Sequence, residues 1–316
     1  MMKNTAFVFP GQGSQQVGMG KDIFESYPVA RHLFRTADEI LGFSLSEMCF
    51  DDPQGVLDDT INTQPALYVN SVAIYRALKE EIPDLMPAFL AGHSLGEFTA
   101  LHIANVLSFE DGLRLVRERG RLMKQAGEDN PGAMAAILGL NADAISQICS
   151  LASEKIGKAI VLANDNCSGQ AVISGDSEAL DLAMELAKQG GAKRAIRLQV
   201  SVAAHSPLME SASEAFISAL KNTPINAPEI PIYGNVIAGK LLDENAIRQE
   251  LELQLTNSVR WTESIQKMIA DGATRFVEIG SGSVLTGLLR RIDRSVRGVA
   301  LTDAESIRKF VEEDEE

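Results

Sequence analysis

The sequence predicts an α/β protein: a large domain with an open parallel sheet, interrupted by a small inserted domain of ferredoxin-like type. Two observations carry this prediction. Short apolar segments, each followed by a glycine turn and then a helical stretch, recur at three well-separated places, which is the pattern of a parallel α/β sheet. Between about residues 131 and 200 the rhythm changes to strand, helix, strand, strand, helix, strand, the order of a ferredoxin-like unit.

The elements follow in order along the chain. Ala6–Phe9 reads as a strand running into a Gly-rich turn, and Ala88–Ala91 as a second strand before a turn at Gly92 and a helix from about Leu95. Pro131-Gly132 marks the start of the insert. Within it, Ala133–Leu140 reads as a strand, Ala142–Glu154 as a helix, and Ala159–Ala163 and Gln170–Ser174 as strands joined by the polar loop 164–169. Glu178–Lys188 reads as a helix and Ala192–Val200 as the last strand. Phe276–Ile279, Gly280-Ser-Gly282 and a further helix complete the large domain. The expected division is 1–130 with 201–316 for the large domain and 131–200 for the small one. Ligands of such sheets sit at the carboxyl ends of the strands, and clefts between domains are common sites.

Composition narrows the function. With 316 residues, 45% hydrophobic and 23% charged, the chain has the make-up of an ordinary globular protein. A net charge of −14 argues against nucleic acid and anionic membranes as partners, since both require a basic surface. The apolar run before Pro10 is too short for a signal-peptide core, and no stretch approaches the roughly 18 apolar residues of a membrane span. Cys49, Cys149 and Cys167 are scattered and lack CxxC spacing, so neither a disulfide framework nor a zinc site is expected and the cytoplasm is the natural compartment. Residues 311–316 read as a frayed acidic tail. Arg290, Arg291, Arg294 and Arg297 form a basic cluster, either a solvated helix face or a docking patch for an acidic partner.

Three residues carry the chemistry. Gly92-His-Ser94-Leu-Gly96 between a strand and a helix has the nucleophile-elbow pattern. Glycines are required there because side chains beside the serine would collide with the strand and helix, and the helix start directs N–H groups toward developing oxyanion charge. The same residues, Ser94-Leu-Gly-Glu97, also form an S-x-x-E capping box, so a plain helix cap is the competing reading. His93 reads as structural. Of the four histidines, His205 follows a strand and precedes Ser206-Pro207, a good helix start; it is the candidate base. His32 and His102 read as surface or packing residues. No acid can be assigned to a third position; a backbone carbonyl could orient the imidazole instead, so a Ser–His dyad is expected. Arg119 falls in the middle of the apolar stripe Leu115, Val116, Leu122, Met123, whereas Arg114, Arg117, Glu118 and Arg121 fall on the polar side. A guanidinium so placed must be paired, either with an internal acid or with a substrate carboxylate held bidentately.

Together these stretches resemble the malonyl-CoA:acyl-carrier-protein transacylases and the acyltransferase domains of polyketide synthases. The resemblance rests on Phe9-Pro-Gly-Gln-Gly-Ser-Gln15, Gly92-His-Ser-Leu-Gly-Glu97, Arg119, Val202-Ala-Ala-His205, Gln254 with Asn257 and Trp261, and the closing segment 278–287, and it runs from about residue 5 to 303. It implies an α/β-hydrolase-like large domain with a ferredoxin-like insert, and ping-pong transfer of malonyl from CoA to the phosphopantetheine of an acyl carrier protein. It further implies Ser94 as nucleophile, His205 as base, the N–H groups of Gln12 and Leu95 as oxyanion hole, and Arg119 as the receptor of the malonyl carboxylate. Gln254 would orient the histidine through its carbonyl, with His93 in support. No resident cofactor or metal is implied; malonyl-CoA and holo carrier protein are the partners, and a monomer is the usual state. Phe98 stands where many members carry Tyr. Ala204 stands where polyketide domains often place Phe or Ser, which removes a marker of extender-unit choice. The remaining alternatives are a serine thioesterase or other hydrolase using the same pair, a discrete polyketide acyltransferase with a different extender unit, and an idle scaffold.

Overall fold

A computed structural model describes residues 2–200 and 202–315; the domain boundary expected at residue 201 falls outside the described residues. Ten strands form two sheets. The strands are β1 (Met2–Phe9), β2 (Pro87–Gly92), β3 (Gly132–Leu138), β4 (Ile160–Cys167), β5 (Gln170–Asp176), β6 (Arg194–Arg197), β7 (Ile232–Tyr233), β8 (Lys240–Leu241), β9 (Arg275–Ile279) and β10 (Arg297–Leu301). The larger sheet has the order β10-β9-β1-β2-β7-β8 and is parallel except for β8, which pairs antiparallel with β7. The smaller sheet, β4-β5-β3-β6, is antiparallel throughout. The helices Ala142–Ile156 and Ser177–Gln189 belong to it, which gives βαββαβ connectivity. This is the mixed α/β architecture expected.

The central strands are apolar because both faces are covered. Phe7, Leu90 and Val277 face one core, which includes the helix Thr60–Glu81, and Ala6, Val8, Phe89 and Phe276 face another with Trp261 and Met268. Register then fixes where function can sit. Phe9 lies opposite Gly92, so β1 and β2 end together, and β9 runs parallel on the other side of β1. The loops after Phe9, Gly92 and Ile279 therefore gather on one edge.

Two expectations are corrected. The segment 164–169 is not a loop: β4 continues to Cys167, with register shifts between Leu162 and Asn164 and between Asp165 and Cys167, and only Ser168-Gly169 turns. Its polar residues are strand residues because the large sheet's connections meet them. Asp165 N–H donates to Val259 O (2.9 Å), Val259 N–H to Ala163 O (2.8 Å), and Thr262 Oγ1 to the Asp165 carboxylate (2.9 Å). Residues 311–315 of the acidic tail are helical, as part of Ala304–Glu315. Phe310 is buried beneath the Arg275 guanidinium, and Glu313 pairs with Arg297 at 2.7 Å. No helix among the described residues is long and apolar enough to cross a membrane.

Candidate active site

The turn after β2 is built by what its glycines lack. A Cβ on Gly92 would lie 1.9 Å from the Gly96 carbonyl carbon, and one on Gly96 would lie 2.1 Å from Phe9 O. Strand, turn and helix are thus in backbone contact, and only glycine fits at both places. Between them Ser94 adopts φ 51°, a left-handed conformation that few non-glycine residues hold. The helix runs from Gly96 to Ile103 with Leu95 at its cap position, and no side chain caps it. The capping-box reading of Ser94 is therefore overturned. Ser94 Oγ turns into the cleft, and the Glu97 carboxyl is engaged elsewhere.

His205 meets that hydroxyl. Its Nε2 lies 2.8 Å from Ser94 Oγ, and its Nδ1 lies 2.8 Å from Gln254 O and 3.1 Å from Asn257 O. Facing only carbonyl oxygens, Nδ1 carries the hydrogen, which leaves Nε2 as acceptor for the serine proton. His205 is itself held at φ 59° by its own N–H bond to Leu255 O (2.9 Å). Burial of the ring, and then the nearby Arg119 charge, lower its pKa to about 3, against the opposing pull of the Gln254 and Asn257 carbonyls. The ring is therefore neutral at ordinary pH. No acid takes the third position; two carbonyls of the segment 254–257 do.

Arg119 comes from the helix Phe109–Asp129, whose N-cap Ser108 accepts from Asp111 N–H at 3.0 Å. Leu115, Val116, Leu122 and Met123 are buried on that helix, and Arg119 is 1% exposed among them. Its Nη1 donates to Gln64 Oε1 (2.9 Å) and its Nη2 to Ser94 Oγ (3.1 Å), while Nε has no partner. Among the described residues no acid forms an ion pair with it, so the internal salt bridge weighed above is absent. Burial lowers its pKa to about 10, which still leaves the guanidinium charged at neutral pH; Glu97 opposes the shift. A buried cation with a free N–H, touching a serine hydroxyl, is chemically a receptor for an anion.

The remaining sequence candidates surround this centre. Gln12 lies on the loop after β1, and its side chain donates to Thr60 Oγ1 at 3.1 Å. A Cβ on neighbouring Gly11 would lie 2.3 Å from His93 O, so that loop abuts the serine turn. His93 Nε2 is 2.8 Å from Asn166 Oδ1 of β4, and its ring meets Trp261 edge-on at 5.4 Å. Burial lowers the His93 pKa. Gln254 also contributes its side chain, whose Nε2 donates to Ser94 O (3.1 Å) and Glu97 Oε2 (2.7 Å). A cleft of about 440 Å³ opens onto Ser94, His205 and Arg119 and is walled by Met134, Val200 and Leu288, among others. Among the described residues no group of three His, Cys, Asp or Glu side chains is placed to hold a metal.

Several residues of the site have no signal in the sequence. Asn235 Oδ1 accepts from Ser94 N–H (2.8 Å), and its Nδ2 donates to Gly92 O (2.8 Å) and to the Glu97 carboxylate. Gln64 holds Arg119 from the buried helix Thr60–Glu81, and Asn166 reaches His93 from the small sheet. Each acts across more than fifty residues of chain, beyond the reach of local pattern. Glu278 stands out in the sequence only as part of the closing segment 278–287. Its buried carboxylate accepts from Leu285 N–H (3.0 Å) and Thr286 N–H (2.7 Å) and so anchors the helix Val284–Ile292 that lines the cleft.

Residues 6–308 match the acyl transferase domain family. The malonyl CoA-acyl carrier protein transacylase of Bacillus subtilis (strain 168) is 45% identical over 306 residues, covering 97% of this chain and 96% of that one. The solved structure of the malonyl CoA-acyl carrier protein transacylase of Coxiella burnetii is 40% identical, with TM-score 0.95, over 99% of this chain and 98% of that one. A malonyl-transacylase solved with a type II polyketide acyl-carrier protein is 39% identical, with TM-score 0.94, over 98% and 99% of the two chains. This chain therefore belongs to the acyl transferase domain family, in the branch formed by the malonyl CoA-acyl carrier protein transacylases.

Proposed function

We propose that this protein moves a malonyl group from malonyl-CoA to the phosphopantetheine thiol of an acyl carrier protein through a malonyl-Ser94 ester. The observation that carries this reading is the placement of Arg119, a buried guanidinium with no acidic partner among the described residues, 3.1 Å from a serine hydroxyl that is itself 2.8 Å from a neutral histidine. A plain esterase has no use for a cation there. An acyl group that ends in a carboxylate does.

His205 Nε2 takes the Ser94 proton as Oγ attacks the thioester carbonyl carbon. The tetrahedral oxyanion is received by the Gln12 and Leu95 N–H groups, neither of which donates to another group among the described residues. The C–S bond breaks, His205 returns the proton to the departing CoA sulfur, and the malonyl ester remains on Ser94. The carrier thiol then repeats the sequence in reverse, with His205 again as base. The malonyl carboxylate pairs with Arg119 and offsets the charge that depresses His205. A dicarboxylic acyl group thus raises the basicity of the group that must activate Ser94, and an acetyl group does not.

The reading includes a catalytic unit of residues 1–130 and 201–316 with a small unit of 131–200 forming the opposite wall of the cleft. It also includes action as a cytoplasmic monomer with no resident cofactor, in keeping with three cysteines that are all free and buried. Carrier docking falls to a local basic patch, because carrier proteins of this kind are usually acidic, as is this chain. Intact mass after incubation with malonyl-CoA tests the central claim. A malonyl adduct, absent in Ser94→Ala and discharged by holo carrier protein, is the expected result. Rapid release of free malonate without dependence on a carrier would replace the reading with a thioesterase.

A further inference from the structure

Ser94 and His205 are both held in left-handed backbone conformations, and the bonds that hold them converge on a carboxyl outside the cleft. Ser94 N–H donates to Asn235, and Ser94 O accepts from the Gln254 side chain, so the nucleophile's backbone is gripped from both sides. The Gln254 backbone carbonyl orients His205. The amide nitrogens of Asn235 and Gln254 both donate to one oxygen, Glu97 Oε2. Glu97 sits in the first turn of the helix that Ser94 introduces, is fully buried, and does not line the cleft. Burial, then the neighbouring Glu250, push its pKa well up, while the Gln254 hydrogen bond and Arg119 work the other way. Glu250 also shapes the loop that carries Asn235, accepting from Val236 N–H and from Ile237 N–H at 3.0 Å. Gly234 leaves room for it, since a Cβ there would lie 2.6 Å from the Glu250 carboxylate.

We propose that Glu97 is a positioning residue for acyl transfer: by accepting from Asn235 and Gln254 at one oxygen, it locks the Ser94 turn and the carbonyl anchor of His205 into a single unit. The proposal rests on Ser94 as nucleophile and His205 as base. An apolar side chain at position 97 would leave one N–H of each buried amide without its acceptor, with only Gly92 O and Ser94 O left to hold the two amide nitrogens against the serine turn. Nothing in this role requires Glu97 to touch substrate.

The test uses the full chain and two readouts: single-turnover malonylation of Ser94, and labelling by a fluorophosphonate, which needs the Ser–His pair but neither a carboxylate contact with Arg119 nor CoA. Glu97→Ala is expected to slow both by roughly 30- to 100-fold, the scale of losing a buried hydrogen-bonded acceptor, with KM for malonyl-CoA within about twofold. Glu97→Gln keeps a carbonyl oxygen for both donors and is expected to stay within about fivefold of the parent. Should Glu97→Ala lack a cooperative melt, Glu97→Asp keeps an acidic acceptor but draws it back from both amides by one methylene, and is expected to slow both readouts at least about tenfold while Glu97→Gln does not. Glu97→Ala as fast as the parent, Glu97→Gln as slow as Glu97→Ala, or Glu97→Asp as fast as Glu97→Gln would overturn the proposal. Ser94→Ala separates the two levels. If it still labels like the parent, the Ser–His reading itself fails; if it is silent while the Glu97 variants remain fast, only the positioning role fails.

Discussion

Removing Arg119 should exchange selectivity for permissiveness, and the structure sets the scale. The guanidinium is 1% exposed, spends one N–H on Gln64 and one on Ser94 Oγ, and keeps Nε unpartnered. In Arg119→Ala the malonyl carboxylate would enter the same buried space with no cation to meet it. Breaking a buried ion pair on one side costs about 3–5 kcal/mol, or roughly 10²- to 10⁴-fold in kcat/KM. The lost bond to Ser94 Oγ slows every acyl donor alike, so the ratio of malonyl to acetyl transfer isolates the carboxylate contact. That ratio is expected to fall by at least about 10²-fold, with acetyl transfer holding or rising relative to malonyl. The assay is single-turnover acylation of Ser94 from each thioester, quenched in acid and read by intact mass. A second signature comes from His205, whose pKa Arg119 helps to depress. In the variant that depression weakens, and the acid limb of the acylation rate moves to higher pH. An unchanged malonyl-to-acetyl ratio would remove Arg119 from substrate recognition and refute the reasoning.

In the parent enzyme the base stays neutral far below pH 6.5, so acetyl transfer, which leaves Arg119 uncompensated, should show no acid limb near that value; a limb at 6.5 would place His205 in a solvated setting. Because its folded pKa of about 3 lies below the unfolded value of about 6.5, His205 contributes stability that is intact above 6.5 and is lost as pH falls from there toward 3, which urea titrations at stepped pH would detect. Gly96→Ala drives a Cβ to 2.1 Å from Phe9 O, a backbone atom that cannot yield, and should cost about 3 kcal/mol or more by denaturant unfolding. A value within error of the parent would mean that the turn and β1 are not in contact. For docking, the sequence also holds a second basic cluster, Lys193, Arg194 and Arg197, at β6, whose continuation at Leu198–Val200 lines the cleft. Lys193 and Arg194 are exposed and Arg197 pairs with Asp181, whereas Arg291 and Arg297 of the 290–297 cluster are engaged by Gln170 and Glu313. Reversing Lys193 and Arg194 to Glu should raise KM for the carrier about tenfold and flatten its salt dependence more than reversing Arg290 and Arg294 does. The opposite ranking would move the docking patch to the 290–297 cluster.

What the sequence made legible follows a physical rule. Features set by local spacing could be read: strand–glycine–helix units, the βαββαβ rhythm of the insert, and a charged residue on an apolar helix face at Arg119. Features set by distant partners could not. Residues 164–169 look like a loop because polar side chains in a strand break alternation, and the strand is held by β5 on one side and by Val259 and Thr262, some ninety residues on, on the other. The run Ser94-Leu-Gly-Glu97 looks like a capping box for the same reason, since Asn235 and Gln254, the partners that draw Glu97 away, lie 138 and 157 residues downstream. The acidic tail looks frayed until Arg275 and Arg297 arrive beside it in space.

The two reactive residues make the same point energetically. Ser94 at φ 51° and His205 at φ 59° each occupy a conformation that costs on the order of 1 kcal/mol or more for a residue with a side chain. Neither strain is relieved locally. Ser94 is held by Asn235 and Gln254, and His205 by Leu255, Gln254 and Asn257. Gln254 appears on both sides, gripping the serine with its side chain and the histidine with its backbone. A shift of that one residue would therefore lengthen the Ser94–His205 contact from both ends at once. The segment that carries it continues into Val259 and Thr262, which are bonded to β4 of the small sheet. The 2.8 Å contact between nucleophile and base is thus set by both halves of the molecule. The cleft is lined from both sheets, so the segment that ties them together also fixes the two groups that act on an acyl chain bound there.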